Sequence, residues 1–548
     1  MKQLMGALEY CVTWANRRPG FAWLCFFVLA LLPRVLAPSG VFINFDAAGK
    51  WIIRTKGFMD GLSTFDLSLL VQAPHPGVTL MWLMSVGEWM NQSFHLYRLW
   101  ADPAIGYITI LKLPLLITTS ALAATLFLFL RGLTTTRFAL AVTLLWSFEP
   151  IYLVFSRYMH LDGLLTGLFL LITIALWRAR RESSWRWSIT AAFLMAVAAL
   201  TRINIIPALI FTALFASVAR RGAWRRWLIQ LGGMLGIVVA TLIVLWPALV
   251  GAWTEVVAII QRGIKLGTTE HEVPSRVDQH AIVRRMIYPI FLAIRSWTWL
   301  IVYAIAGAVV YPLVSIRQRT LRHKFQLYLL AASGSVLIVL FFADKKLDRY
   351  AAPAIGPLLL IAMFMFTALW QRLSLNGRRI AGVAMGALML VSTLDVLRLA
   401  PYYQTFQNEI GLLLKRSDTI ATSAAFSPAW GEGYYETAKY LESLGWPKAA
   451  VRNARTLCVH RTPDDPKLYP FNPAPKGGCS RPLYDLTESV KAEYLAISSA
   501  TFAQNVYPRL LRDIKRLGWK PVHTIYLNHQ PTVYIYRNTG GLRGNYYR

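Results

Sequence analysis

The sequence predicts a polytopic α-helical membrane protein of about eleven transmembrane helices, with a small α/β domain at its C-terminal end on the exoplasmic face. Three observations lead there. Of the 548 residues, 56% are hydrophobic and only 15% charged, and mean hydropathy is +0.44, too apolar for a soluble chain of this length. Apolar runs recur as far as residue 397, with short basic loops between them. From residue 398 the runs stop and short amphipathic patterns take over, which divides the chain into a transmembrane part, 1–397, and an exoplasmic part, 398–548.

A hydrocarbon core about 30 Å thick takes roughly 20 apolar residues per helix. Stretches of that kind lie near 21–37, 105–130, 138–155, 163–177, 188–201, 203–218, 228–250, 296–315, 326–343, 350–370 and 380–397. The fifth and sixth are short and meet at Thr201, Arg202 and Ile203. No small-residue cleavage site follows the apolar stretch in residues 1–20, so the first hydrophobic segment reads as a retained span. Basic clusters occur at Arg17 and Arg18, Arg131 and Arg137, from Arg178 to Arg186, from Arg220 to Arg226, from Arg317 to Lys324, and from Arg372 to Arg379. These occupy every second loop, which places the N-terminus in the cytoplasm and the last 151 residues outside. The formal net charge of +30 belongs to those loops rather than to one patch, which excludes a nucleic-acid-binding reading.

In the polar part, "EGYYETAKYLESLGW" reads as a helix closed by Gly445 and "AEYLAISS" as a strand, while "HTIYLNHQPTVYIY" reads as two strands around a turn at Asn528 to Gln530. Of the four cysteines, Cys11 and Cys25 sit in or beside the first apolar segment. Cys458 and Cys479 close a short loop in the polar part, which fits a disulfide if that part faces an oxidising compartment; two free thiols are the alternative.

Four exoplasmic stretches concentrate unusual polar residues. In "VFINFDAAGKWIIR", Asp46, Lys50 and Arg54 are spaced i, i+4, i+8, so a helix along the interface shows all three on one face, as a site or as a snorkelling anchor. In "QAPHPGVTLMW", Pro74, Pro76 and Gly77 define a rigid turn holding His75 before a hydrophobic re-entry, although a solvated loop imidazole reads the same way. "FSRYMHLDG" puts Arg157, His160 and Asp162 in one tight connection, where Arg157 and Asp162 have a mutual salt bridge as the plainer option. "DKKLDRYAAP" places Lys345, Lys346 and Arg349, next to Tyr350, outside, against the positive-inside trend, as an anionic ligand at the bilayer surface requires. His75, His160, His271, Asp162 and Glu270 are the metal-ligand types available, and no two of the histidines have tight ligand spacing; a divalent metal is the one cofactor the pattern leaves open.

At these residues the chain resembles a known family. "NFDAAGKW", "PHPGVTLMW", "SRYMHLD", "ALTRINIIPAL" and "KKLDRYAAPAIGPL", in that order, are similar to the GT-C superfamily of membrane glycosyltransferases, in particular the branch of protein O-mannosyltransferases and the lipid A aminoarabinose transferase. "APYYQTFQNEIG" and "WGEGYYETAKYL" resemble a prokaryotic subgroup with an exoplasmic C-terminal domain. The resemblance implies a polyprenyl-phosphate-linked sugar as donor, catalysis at the outer face of a prokaryotic inner membrane, and an acidic base in the first exoplasmic loop, the position of Asp46. His75, Pro76 and Gly77 resemble the family's His-Pro-Pro segment, and Asp162 matches a polar position of the second exoplasmic loop. Two departures stand out: Ala47 replaces the mannosyltransferases' second acid, and Pro74 stands where the aminoarabinose transferase has an acidic residue, which puts an equivalent metal site in doubt.

The chemistry agrees with that expectation. A polyprenyl phosphate leaves readily, so the site needs cations for the phosphate oxygens, which Lys346, Arg349 and Arg202 can supply. The incoming hydroxyl, on a lipid, glycan or protein acceptor, must lose a proton to a nearby carboxylate. A flippase for lipid-linked sugars calls instead for mid-membrane charges and inverted repeats, neither of which is evident. A polysaccharide ligase or polymerase using a diphosphate-linked donor stays open.

Overall fold

Each of the predicted apolar stretches forms helix in the computed structural model, which describes residues 2–36, 51–100, 103–219, 224–268, 286–317, 320–342, 348–414, 433–444, 451–453, 458–459, 494–499, 508–537 and 539–541. The N-terminal elements are α1 (Lys2–Arg17), α2 (Pro19–Val35), α3 (Ile52–Thr64), α4 (Val78–Phe94), α5 (Pro103–Leu130), α6 (Thr136–Phe148), α7 (Pro150–Arg157) and α8 (Leu161–Glu182). Next come α9 (Trp185–Thr201), α10 (Ile206–Phe215), α11 (Trp224–Leu245), α12 (Ala248–Gly251), α13 (Trp253–Thr268) and α14 (Ile287–Arg295). The helical part closes with α15 (Thr298–Arg317), α16 (Leu321–Phe342), α17 (Ile355–Arg372) and α18 (Leu375–Leu397).

Six of the described helical segments are individually long and apolar enough to cross a membrane, and two bent pairs reach that length together. One pair is α1 with α2, bent by 113° where Pro19 starts the second helix; the other is α6 with α7, bent by 52°. At the second bend the Glu149 carboxylate accepts from the Tyr152 amide at 2.7 Å and from Ser296 Oγ at 2.9 Å, so the break is capped by a buried side chain. The short fifth and sixth stretches are α9 and α10, with Arg202 in extended conformation between them (φ −159°, ψ 118°).

Layering follows from which helices meet lipid-like surroundings. α8 is buried along nearly its whole length and is flanked by α5, α7, α9, α10 and α17. By contrast α11 and α18 expose apolar side chains such as Leu235, Val244, Ile380, Val383, Val391 and Leu394. A continuous exposed apolar face on spanning helices is what hydrocarbon contact demands.

The described segment between α2 and α5 is helical: α3, a 3-10 turn at Leu67–Leu70, α4 and a second 3-10 turn at Leu96–Leu99. α4 packs on α5, which accounts for the apolar re-entry after the Pro-Gly turn. Asp46 and Lys50 lie outside the described residues, and Arg54 lies in the first turn of α3.

Among the described C-terminal residues, a five-stranded sheet has the order β2-β1-β3-β5-β4, formed by β1 (Val451–Asn453), β2 (Cys458–Val459), β3 (Tyr494–Ser498), β4 (His523–Leu527) and β5 (Gln530–Arg537). β1 and β3 run parallel and the other pairs antiparallel. The expected hairpin turn is present, with Asn528 and His529 both at positive φ (48° and 62°), the backbone that a two-residue hairpin loop of matching twist requires. The expected helix and strand are present as Tyr434–Ser443 and β3. Sequence reading passed over the helix Pro508–Arg516, whose Leu510 and Ile514 pack with Leu495, Ile497 and Tyr536 into a small second core. Cys479 lies outside the described residues, so the expected Cys458–Cys479 bond does too.

Candidate functional site

The site begins where the chain leaves α7 at Arg157, turns through Tyr158 to His160, and enters α8 at Leu161. The return is tight. A Cβ on Gly163 would lie 2.3 Å from the Phe155 carbonyl oxygen, so only glycine lets the first turn of α8 sit on the end of α7. Asp162 lies in that first turn, where the exposed helix amides favour a negative side chain.

Around Asp162 the structure gathers two guanidiniums from distant parts of the chain and the nearby His160 imidazole. Arg202 Nη1 lies 2.6 Å from Oδ1, His160 Nδ1 lies 2.7 Å from Oδ2, and Arg349 Nε lies 3.4 Å from Oδ2. All four residues are buried. The Arg202 guanidinium lies over the Tyr350 ring at 3.7 Å, and Arg349 stands 5.7 Å from the same ring. Arg202 and Arg349 thus hold two guanidiniums against the one Asp162 carboxylate, in a desolvated place where charge-assisted hydrogen bonds are strong.

An aromatic wall adjoins this cluster. Trp51 stands edge-on to His160 at 6.1 Å and to His75 at 5.8 Å, and the Arg54 guanidinium lies 5.1 Å from the Trp51 ring. The turn that carries His75 is held from two sides. Gly77 has φ +63°, and a Cβ there would lie 2.4 Å from the Trp51 ring; a Cβ on Gly263 of α13 would lie 2.3 Å from the Pro74 carbonyl oxygen.

The structure therefore brings together Arg54, His75, His160, Asp162, Arg202, Arg349 and Tyr350. Arg157 turns elsewhere: its Nη1 donates to the Pro401 carbonyl at 2.7 Å and its guanidinium covers the Tyr403 ring at 4.8 Å. The Arg157–Asp162 salt bridge that the spacing allowed is not formed; Asp162 takes Arg202 and Arg349 instead. Asp46, Lys50 and Lys346 lie outside the described residues. Among the described residues no group of three or more His, Cys, Asp or Glu side chains could hold a metal ion, and Glu270 and His271 fall outside them.

Sequence reading missed Lys112, buried on α5, and Glu149 at the α6–α7 bend. Their signal is a single charge within or next to an apolar run, which a search for clusters overlooks. Beside Arg202 and Tyr350 lies a small pocket between α8, α10 and α16, lined by Leu165, Asn204, Ala208, Val336 and Leu340.

The Arg202, Asp162 and Arg349 side chains thus meet, buried, beside a small apolar pocket. Residues 108–250, which include Asp162 and Arg202, match the family model described as dolichyl-phosphate-mannose-protein mannosyltransferase. The resemblance to membrane glycosyltransferases is thus borne out over that segment. Two solved structures of ArnT from Cupriavidus metallidurans are similar to this chain. The one bound to undecaprenyl phosphate has a TM-score of 0.47 at 14% identity, covering 95% of this chain and 99% of its own. The apo form has a TM-score of 0.46 at 15% identity, covering 96% of this chain and 100% of its own. No curated protein matches the chain.

Proposed function

We propose that the protein is an inverting glycosyltransferase that moves a sugar from a polyprenyl-phosphate donor to a hydroxyl acceptor at the exoplasmic face of a prokaryotic inner membrane. The buried Arg202–Asp162–Arg349 cluster carries this reading, because two guanidiniums held in one desolvated place are the donors that recognise phosphate oxygens. The family that matches residues 108–250 is named for a dolichyl-phosphate-linked donor, which supports the same donor class.

In the proposed reaction the acceptor oxygen bonds to the sugar's anomeric carbon from the face opposite the phosphate. The bond from that carbon to the phosphate oxygen breaks, and its electron pair leaves with polyprenyl phosphate. Arg202 and Arg349 neutralise the charge that develops there. The hydroxyl proton passes to a carboxylate, for which Asp46 is the proposed base. Asp162 is proposed as the organiser of the two guanidiniums, since both of its oxygens already face cations. Lys50, Arg54 and Lys346 are proposed to bind the donor, with His75 and His160 beside the sugar.

The orientation is part of the proposal. α8 is 22 residues long, about 33 Å at 1.5 Å per residue and enough to cross a hydrocarbon core, with Asp162 in its first turn and Arg180 and Arg181 in its last. A basic loop at one end and the site at the other support a cytoplasmic loop, an exoplasmic site and a C-terminal sheet outside. The test incubates purified full-length protein with a panel of polyprenyl-phosphate sugars and measures release of polyprenyl phosphate. Turnover of at least one is expected; turnover only of diphosphate-linked donors would replace this reading with the ligase one.

A further inference from the structure

Residues 399–408 form a strap between the helical body and the C-terminal sheet, with Tyr402, Tyr403, Thr405, Phe406, Gln407 and Asn408 buried. A buried loop has no ladder to satisfy its carbonyls, so side chains from elsewhere must do so. On the helical side, Arg157 donates to Pro401 O at 2.7 Å, and Arg295 Nη1 donates to Gln404 O at 2.6 Å and Phe406 O at 2.8 Å. Asn408 Nδ2 donates to Ala293 O at 2.6 Å and Ser296 O at 2.8 Å, and Tyr403 Oη donates to Pro33 O at 3.1 Å. On the sheet side, the β4–β5 turn supplies the donors. Asn528 Nδ2 reaches Thr405 Oγ1 at 2.8 Å and Leu399 O at 3.2 Å, and Gln530 Nε2 reaches Thr405 O at 2.9 Å.

We infer that the β4–β5 hairpin positions the donor-phosphate site through this strap and Arg157. Arg157 is the last residue of α7, and the short turn after it carries His160 and Asp162, so a displacement of Pro401 is passed to the carboxylate that holds Arg202 and Arg349. Asn528, Gln530 and Arg157 are positioning residues: none lies among the groups gathered around Asp162. The C-terminal sheet thereby acquires a role in the reaction without touching the donor. The activity arm of the test rests on the proposed transfer reaction; a second arm does not.

The experiment compares full-length wild type with the Asn528→Ala/Gln530→Ala double variant, Arg157→Lys, their combination, and Tyr526→Ser on the exposed side of β4 as a control. Turnover per folded molecule at saturating donor should fall roughly tenfold in the hairpin variant, as misplacement of reacting groups does. The donor KM should change much less, and the control should match wild type. Arg157→Lys keeps the charge but loses the fork that reaches Pro401 and covers Tyr403, and its loss should not multiply with the hairpin's, because both break one chain of contacts. Multiplying losses, or a fall only in the amount of folded protein, would overturn the inference. Hydrogen exchange of the amides from residue 155 to 163 supplies the arm independent of activity. It should quicken severalfold in the hairpin variant while the middle of α8 keeps its protection. Unchanged exchange there sinks the inference even if transfer is active. A wild type inactive on every donor sinks the transfer reading and leaves this arm to decide the coupling.

Discussion

Asp162 shows how much one side chain can organise. It faces two guanidiniums and an imidazole inside a desolvated cluster, so replacing it by Asn removes the carboxylate from two buried ion pairs at once. Removing one partner of a buried ion pair typically costs about 3–5 kcal/mol, and Asp162→Asn should lower both folded yield and donor affinity. Thermal unfolding with and without donor checks it: a stability equal to wild type would mean the cluster contributes little. Arg349→Lys exchanges a planar fork for a point charge, so donor binding should weaken more than folding does; unchanged donor affinity in Arg349→Ala would make the residue purely structural. Asp46→Asn should cut turnover by roughly 10² while sparing donor binding, and near wild-type turnover would move the base elsewhere. Most of the cluster was legible because His75, His160, Asp162, Arg202 and Arg349 sit at the ends of apolar runs, where charge is unexpected. The partner of Arg157 was not legible, since Pro401 lies 244 residues further on and offers only a carbonyl.

At the scale of elements, what could be read depended on how local the cause was. The β4–β5 hairpin follows from alternation and a turn that tolerates positive φ, both contained in a dozen residues. The helix Pro508–Arg516 escaped notice because only Leu510 and Ile514 mark its buried face in a short run rich in Arg, Lys and Asp, so its pattern is complete only against the strands it covers. The fifth and sixth spans looked too short because the chain leaves helix at Arg202 to place a guanidinium in the site. The turn between α3 and α4 carries the element-scale prediction. Gly77→Ala meets a left-handed φ and the Trp51 ring at once, so the turn must shift and take His75 and Trp51 with it. A lower melting temperature by several degrees and altered tryptophan emission are expected; wild-type values in both would show that the turn relaxes without cost to its neighbours.

For the whole molecule, the question is which side of the membrane each end occupies. Charge alternation, the length of α8 and the cluster at its Asp162 end point the same way, because Arg180 and Arg181 lie in the last turn of a helix long enough to cross the membrane and Asp162 in its first. The strap binds the C-terminal sheet to the Asp162 end through Arg157, so sheet and site should share a compartment. A reporter active only in the cytoplasm should stay silent when fused after Arg548 and give signal when inserted beside Glu182. In an oxidising compartment Cys458 and Cys479 should also be bonded, as unreduced peptide mapping would detect. A strong cytoplasmic signal after Arg548 would invert the arrangement: the site would then face the cytoplasm, the basic loops would break the positive-inside bias, and an exoplasmic acceptor would be out of reach of Asp162 and its guanidiniums.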